Sequence, residues 1–172
     1  TSDSWSDRVN AVGLDIGGES TRPFSEPVSA SEESDRVLPV IEALAGRSGV
    51  PISIDTTKAT VARQAVSSGA TIINDISALR QDPEMAATAA DCKAPLILMH
   101  MKGTPKTMQV DPVYDDLIAD IFTFLSDAIE RATAAGVERS SIIVDPGIGF
   151  GKNIGHNLEI IRRLDRFHGL DV

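Results

Sequence analysis

Residues 54–77, IDTTKATVARQAVSSGATIINDIS, contain the unit from which the fold can be inferred. They hold the end of one short apolar run, a helix-like segment and a second apolar run. The first run stops at Asp55, and the second stops at Asn74 and Asp75. Both runs are continuously apolar and do not alternate, which is typical of strands covered on both faces. The segment therefore predicts a strand, a helical crossover and a parallel neighbouring strand.

The same pattern recurs along the chain. Five short apolar runs rich in Ile, Val and Leu are separated by helix-like segments; they span residues 11–16, 51–54, 71–73, 95–99 and 141–144. Alternation of strand and helix at spacings of roughly twenty to forty-five residues implies right-handed βαβ units. The pattern fits either an open doubly wound sheet or a (β/α)₈ barrel. Both architectures place binding groups at the carboxyl ends of the strands.

Capping signals predict where several helices begin. Ser29 and Glu32 have the spacing of a capping box, and Pro39 in the following apolar stripe predicts a kink or a shorter helix. Asp82 and Asp111 each precede a proline, as an N-cap precedes a proline at the first helical position. The helix after Asp111 should carry a long apolar face. That face consists of Tyr114, Leu117, Ile118, Ile121, Phe124, Leu125, Ala128, Ile129 and Ala132, and Gly136 should close the helix.

Composition narrows the classes of partner. The chain has 172 residues, of which 42% are hydrophobic and 24% charged, as in a single globular domain. The net charge is −9 and no basic stripe occurs, so neither nucleic acid nor an anionic membrane is expected as a partner. The single Cys92, without a Cys or His cluster, predicts neither a disulfide nor a zinc-like site. No apolar run is long enough to span a bilayer and no leader is recognised, so we expect a cytoplasmic location.

Polar side chains follow all five apolar runs. Because the carboxyl ends of parallel strands lie at one edge of a sheet, these side chains should lie together. They are Asp15, Asp55, Asn74 with Asp75, His100 and Asp145. The simpler interpretation of any one of them is a helix cap or a loop carboxylate satisfied by backbone amides. For His100, which lies between two methionines, we expect a packed, hydrogen-bonded histidine and not a catalytic base.

Carboxylates and a carboxamide at one edge suit a flat heterocycle with a donor-rich rim. A 2-amino-4-oxo pteridine or a guanine offers an N–H and an amino group that one carboxylate accepts together, and the wrong ring would leave a buried carboxylate unpaired. The Asn74 amide donates and accepts at once. Ile76 and Met99 are apolar neighbours that would sandwich such a ring. Glycine-rich loops follow the first and fifth runs, but their spacing fits neither a Walker A loop nor a dinucleotide fingerprint.

Six motifs, in the order in which they occur, resemble those of dihydropteroate synthase, an enzyme family of the folate pathway. They are TSDSWSD (1–7), DIGGESTRP (15–23), SIDTTKA (53–59), INDIS (73–77), LILMHMKGTPKTMQ (96–109) and DPGIGFGK (145–152). The resemblance implies a (β/α)₈ TIM barrel and a transferase. Its implied reaction condenses 6-hydroxymethyl-7,8-dihydropterin pyrophosphate with p-aminobenzoate and releases pyrophosphate. Mg²⁺ bound with the substrate pyrophosphate is implied as well, and a homodimer is compatible with the resemblance.

The resemblance also implies roles for particular side chains at the pterin. Asp55, Asn74 and Asp145 fall on the positions that hold the pterin edge, with Ile76 and Met99 against the faces of the ring. Asp55 is the implied catalytic residue. It would steady positive charge that spreads into the pterin as pyrophosphate departs, a step that needs positioning and charge stabilisation more than a strong base.

A second group of implied residues lies on the p-aminobenzoate side. Thr21, Arg22 and Pro23 fall on the loop that helps to enclose p-aminobenzoate, and Phe150 falls near the same ring. Lys152 directly follows the last motif, but the resemblance gives it no definite role.

The sequence departs from the family pattern in three places. Only four residues separate Asp7 from Val12, too few for a crossover helix. The family's metal-side asparagine would precede Thr1, so the metal ligand stays unknown. The chain stops at Val172, ahead of the family's later SRK and RxHD motifs. We therefore expect residues 1–172 to form one incomplete pterin-binding domain. It would be a partial barrel of five to six parallel strands that lacks the first crossover helix and strands 7 and 8.

Two alternatives to the synthase stay open from the sequence. The first is a pterin-binding fragment without turnover. The second is a related methyltransferase that moves a methyl group from methyltetrahydrofolate to a corrinoid and shares the barrel and the Asp/Asn pterin contacts. The segments STRP (20–23) and LMHMKGTPKTMQ (98–109) favour the synthase.

Overall fold

The fold is a parallel sheet of five strands connected by helices. The structure, a computed structural model, describes residues 13–22, 25–103, 108 and 112–172. Its strands are β1 (Leu14–Gly17), β2 (Ile52–Asp55), β3 (Ile72–Asp75), β4 (Leu96–Met99) and β5 (Ile142–Asp145). All five predicted runs are thus confirmed as strands. The first begins later than expected, at Leu14, and residues 11 and 12 lie outside the described residues.

Helices connect successive strands. They are α1 (Ala30–Leu44), α2 (Ala59–Ser67), α3 (Met85–Cys92), α4 (Leu117–Ala134) and α5 (Ile154–Arg162), with short 3₁₀ segments at Arg139–Ser141 and Leu164–Leu170. Among the helices in the described ranges, none combines the length and the apolar character needed to cross a membrane.

The strand order distinguishes the two architectures that the sequence left open. Each strand pairs in parallel with the next one along the chain, giving the order β1-β2-β3-β4-β5. A doubly wound sheet reverses its order at a switch point and carries helices on both faces, whereas a barrel keeps the sequence order. Here α1 packs on α2, α2 on α3 and α3 on α4, as neighbours in one layer. The five strands and their helices therefore form part of a (β/α)₈ barrel.

The main core lies between the sheet and this layer of helices. It is lined by fully buried side chains from both layers, among them Ile41, Ile54, Ile73, Leu96, Leu98, Ile121, Leu125 and Ile129. Burial of each such side chain contributes about 1.5–3 kcal/mol. On α4 the buried residues repeat at three and four positions as the sequence predicted. The opposite face of the sheet is the interior face of the barrel, and it carries Asp55, Asn74 and Asp145 at the strand ends.

Pro39 does not shorten α1, so this part of the prediction was wrong. The helix runs for 15 residues through it, from the N-cap Ser29, whose hydroxyl accepts a hydrogen bond from the amide of Glu32. A proline removes the hydrogen bond to the carbonyl four residues earlier. Here that carbonyl belongs to Asp35, and both Asp35 and Pro39 are exposed. Water can therefore solvate the carbonyl, and the helix continues.

Two predicted N-caps were misplaced. α3 begins at Met85, and the Asp82 carboxylate accepts from the amide of Ala59 as well as from that of Glu84. Asp82 therefore caps the neighbouring helix α2, whose own N-cap residue, Lys58, makes no side-chain hydrogen bond to the backbone of that helix. α4 begins at Leu117 with Asp116 as its cap. The predicted cap, Asp111, lies outside the described residues.

Candidate functional site

Apart from Asp15, which lies within β1, the predicted polar residues lie at the carboxyl end of the sheet, on alternating faces. In the pairing of β2 with β3, Asp55 lies opposite Asn74, and adjacent strands are about 4.8 Å apart. In the pairing of β4 with β5, Met99 lies opposite Asp145. Because the register relates Asn74 to Ile97 and Ile97 to Ile143, all of these positions share the interior face. The interior face thus presents Asp55, Asn74, Met99 and Asp145 toward the mouth of the barrel.

Asp55 is the most strongly perturbed of these groups. Burial, together with the negative charges of Asp15, Glu33, Asp75 and Glu19, raises the pKa of its carboxyl to about 7. Within the described part of the chain, no donor is hydrogen-bonded to this carboxylate. A cationic or donor-rich ligand would stabilise the ionised form of this carboxyl, and such a ligand is therefore the kind that Asp55 is suited to bind.

Asn74 is oriented by an acid from the first strand. Its Nδ2 lies 3.4 Å from Oδ2 of Asp15, whose other oxygen accepts a hydrogen bond from the hydroxyl of Ser53. A carboxylate can only accept, so the amide must turn its nitrogen toward Asp15 and its carbonyl away. The prediction that Asp15 lies at a strand tip was wrong, because β1 continues to Gly17 and Asp15 lies within the strand opposite Ser53; its function of orienting Asn74 was missed.

Asp75 does not belong to the interior face, in contrast to its predicted place among the converging polar side chains. It is fully buried on the helix side of β3. Its Oδ1 accepts from the amide and the hydroxyl of Ser77 at 2.8 and 2.7 Å, and its Oδ2 accepts from the amide of Leu79 at 2.7 Å. Burial raises the pKa of this carboxyl, and the hydrogen bonds from Ser77 and Leu79 oppose the rise. For Asp75 the simpler interpretation, a loop carboxylate satisfied by its own loop, is correct.

An apolar cluster lies beside the polar groups. Ile76, Met99, Met101 and Met108 are buried together, and Phe150 packs against them. Ile76 and Met99 therefore lie in one cluster, as their pairing in the prediction required. That they contact the two faces of a ring stays a prediction. Phe150 joins the same cluster from the loop after β5, which brings one predicted p-aminobenzoate residue next to two predicted pterin residues.

The β1–α1 loop approaches the same region. Thr21 lines a small cavity of about 30 Å³ together with Asp55 and Ile76. Arg22 is exposed, and Pro23 lies outside the described residues. Thr21, predicted for p-aminobenzoate, and Asp55 and Ile76, predicted for the pterin, thus line the same cavity.

An ion cluster that the sequence did not reveal fixes the base of this loop. Nζ of Lys58 contacts the carboxylates of Glu19 and Glu33, and Glu33 is fully buried on α1. Burial alone would lower the pKa of Lys58, but Glu19 and Glu33 raise it above its usual value, so the ammonium stays charged. Gly18 packs closely against α1, since a Cβ at this position would lie only 2.9 Å from side-chain atoms of Glu33 and Val37. Glu33 lies four residues before Val37 and therefore on the same face of α1. This spacing was the signal in the sequence that Glu33 would be buried.

His100 is packed and hydrogen-bonded, as predicted. It is buried at the end of β4, with its ring edge-on to Phe124 at a centroid distance of 4.8 Å. Burial, together with the charges of Lys152 and Arg80, lowers its pKa to about 3. A histidine with so low a pKa is neutral at physiological pH and a weak base.

A sequence profile described as "Pterin binding enzyme" matches residues 11–172. The chain belongs to the pterin-binding enzyme family. It is 47% identical over 164 residues to the dihydropteroate synthase of Escherichia coli strain K12, which covers 95% of this chain and 58% of that enzyme. It is 50% identical over 151 residues to the dihydropteroate synthase of Synechocystis, covering 88% of this chain and 52% of that enzyme. The chain thus spans slightly more than half the length of these relatives.

Solved structures of dihydropteroate synthases resemble this chain closely. The Yersinia pestis enzyme in complex with a sulfonamide drug matches with a TM-score of 0.90 at 48% identity, over 94% of this chain and 58% of that one. The Xanthomonas albilineans enzyme in complex with 7,8-dihydropteroate matches with a TM-score of 0.81 at 40% identity, over 94% of this chain and 56% of that one. These similarities agree with the partial barrel and with the resemblance of the six motifs.

The described residues of this chain contain no cluster of side chains suited to a metal ion. Within residues 13–22, 25–103, 108 and 112–172, no group of three or more His, Cys, Asp or Glu side chains could hold an ion. On the interior face, Asp15 instead accepts from Ser53 and Asn74, and Asp145 accepts from the amide of Gly147. These residues therefore do not form a Mg²⁺ site by themselves.

Proposed function

We propose that the protein containing this chain is a dihydropteroate synthase, which joins 6-hydroxymethyl-7,8-dihydropterin pyrophosphate to p-aminobenzoate and releases pyrophosphate. The observation that carries the proposal is the pairing of Asp55 with Asn74 on the interior face, next to the apolar cluster and across the barrel mouth from Asp145. The synthase names of the relatives favour this reaction over methyl transfer to a corrinoid.

The polar groups match the donor-rich rim of a pterin. In the proposed complex, Asp145 accepts from the amino-pyrimidine edge through Oδ2, since its Oδ1 is already bonded to the amide of Gly147 at 2.7 Å. The carbonyl of Asn74, turned away from Asp15, accepts a second N–H. A ring that lacked these donors would leave buried acceptors unpaired, at a cost of about 1–3 kcal/mol for each.

Asp55 is the proposed catalytic residue. When the bond between the pterin methylene carbon and the pyrophosphate oxygen breaks, both electrons leave with pyrophosphate and the pterin becomes cationic. The amino nitrogen of p-aminobenzoate then attacks that carbon and loses its proton to solvent water. Positive charge in the ring lowers the pKa of a neighbouring carboxyl, so Asp55, ionised in the complex with pterin, stays ionised and its carboxylate stabilises the cation as it forms.

The p-aminobenzoate side is proposed on Thr21, Arg22, Pro23 and Phe150. Thr21 faces the cavity shared with Asp55, and Phe150 offers an apolar surface beside the pterin cluster. The exposed guanidinium of Arg22 suits the benzoate carboxylate.

Further features of the proposal come from the family resemblance alone. They are Mg²⁺ bound with the substrate pyrophosphate, a homodimer and a cytoplasmic location. The described residues supply no cluster of ligands for the ion, so the role of Asp55 is argued without it.

A pterin-binding segment without turnover is the second candidate. It is favoured by the open interior face, where Ile143 is 45% exposed. An enzyme assay and a binding assay separate the two. The natural full-length protein and residues 1–172 are each given pterin pyrophosphate with labelled p-aminobenzoate, and pterin binding is measured by calorimetry.

The expected result is product from the full-length protein. Pterin binding without product from that protein would support the second candidate. Neither binding nor product from a folded full-length protein would refute both.

A further inference from the structure

A buried lysine connects the β5–α5 loop to the end of β4. The Lys152 side chain is only 3% exposed. Its Nζ lies 2.8 Å from the carbonyl oxygen of Gly147, 2.9 Å from that of Phe150 and 2.9 Å from Nδ1 of His100. The carbonyl oxygen of His100 is 3.3 Å away. Acceptors from the ends of two neighbouring strands thus surround one amine.

The three N–H groups of an ammonium match this arrangement. Two are directed at the carbonyls of the loop and one at His100, whose Nδ1 must then be the acceptor and whose ring proton must be on Nε2. Burial lowers the pKa of Lys152 to about 7, and Asp145 opposes the lowering. The lysine therefore holds a neutral His100 ring in one tautomer and has no N–H left for a substrate.

The backbone of the loop fits this anchor closely. Gly147 has φ of +70°, and a Cβ there would lie 1.9 Å from the carbonyl oxygen of His100. The amide of Gly147 donates to Asp145, and the amide of Phe150 donates to the carbonyl of Gly147 at 3.1 Å. The anchored turn is thus bounded by Asp145 on one side and by Phe150 on the other.

We propose that Lys152 is a positioning residue, which fixes the β5–α5 loop against His100 and thereby sets the places of Asp145 and Phe150 for the two substrates. The ligand-binding half of this inference rests on the proposed function; the anchoring of the loop does not. Neither the resemblance nor the similarity to known proteins assigned Lys152 this role.

The anchoring is tested by hydrogen exchange in the unliganded full-length protein. Lys152→Met keeps the length of the side chain and removes its donors, and Lys93→Met makes the same change at an exposed residue of the α3–β4 turn. We expect the Phe150 and Gly147 amides to exchange at least about tenfold faster in Lys152→Met only, because the hydrogen bonds from Nζ to the loop carbonyls are lost. The ¹⁵N shifts of His100 should also show that a single tautomer gives way to two. Unchanged exchange and unchanged shifts would overturn the proposal.

The positioning is tested by binding and kinetics on the same variants. Lys152→Met should weaken binding of the pterin pyrophosphate about tenfold or more and raise the KM for p-aminobenzoate, at temperatures where the variant is fully folded. Faster exchange with unchanged affinity and KM would reduce Lys152 to a structural residue and refute the positioning.

A second variant covers the case in which Lys152→Met does not fold. His100→Phe keeps the ring and removes the acceptor, and it should show the same loosening of the loop to a smaller degree. If the wild-type protein binds no pterin, the proposed function fails, while hydrogen exchange still decides whether Lys152 anchors the loop.

Discussion

Replacing Asp55 by Asn should stabilise the unliganded protein although it removes the proposed catalytic group. Burial and four neighbouring acids raise the pKa of this carboxyl from 3.8 to about 7. The folded protein therefore opposes ionisation of Asp55, whereas the unfolded chain does not. Asparagine has nearly the same shape and carries no charge at any pH.

The sign and size of the effect follow from this pKa. Because the folded-state pKa of Asp55 lies above the unfolded value, the contribution of Asp55 to stability is fully present below pH 3.8 and is lost as the pH rises through about 7. A shift of about three pKa units corresponds to roughly 4 kcal/mol as an upper limit. Asp55 keeps some solvent contact, which screens part of this energy. We expect Asp55→Asn to raise the free energy of unfolding by roughly 2 kcal/mol at pH 8 and by little at pH 4.

Urea unfolding at the two pH values measures this difference. The matched control is Asp127→Asn, the same chemical change at an exposed position of α4, which should change stability by less than about 0.5 kcal/mol. Comparing variants at each pH cancels the titration of all other groups. A destabilised Asp55→Asn protein at pH 8, or an equal effect at both pH values, would refute the electrostatic account of the site.

Three further predictions concern the same end of the barrel. Pterin binding should strengthen about 30-fold between pH 5.5 and pH 8.5 as Asp55 ionises, and calorimetry that finds a constant affinity over this range would contradict its role. Asp75→Ala should lower the free energy of unfolding by about 3 kcal/mol, because three donors of the following loop lose their buried acceptor, and an unchanged melting temperature would contradict this. Lys58→Met should destabilise by about 3 kcal/mol by leaving Glu33 buried and unpaired, and in a urea double-mutant cycle Glu33→Gln should recover much of the loss.

The strands were predictable because their apolar runs are continuous and end at polar residues. This pattern follows from burial on both faces, which depends little on detailed geometry. The choice between barrel and doubly wound sheet was not available from the residues themselves, since both contain the same βαβ units. It required the strand order, or the resemblance to a known family.

Charged side chains that contact elements distant from them in the sequence were harder to predict. Asp82 caps α2 from across a loop, and a capping rule that considers only sequence neighbours assigns it to the helix that follows it. Lys58 and Lys152 look like ordinary surface lysines in sequence. Each becomes buried or partly buried because acceptors from separate elements converge on it, and such convergence exists only in three dimensions.

The adjacent residues Asn74 and Asp75 show how the site depends on strand register. Side chains alternate along a strand, so only one of the two can share the interior face with Asp55, and a slip of one residue would exchange them. The register is set by the burial of Ile73 and by Asp75, which lies on the same helix-facing side and is tied to the following loop by three hydrogen bonds. Moving Asp75 into the interior would break those bonds and bury the amide of Asn74 among apolar side chains. The acid that faces away from the proposed ligand therefore helps to determine that Asn74 faces it.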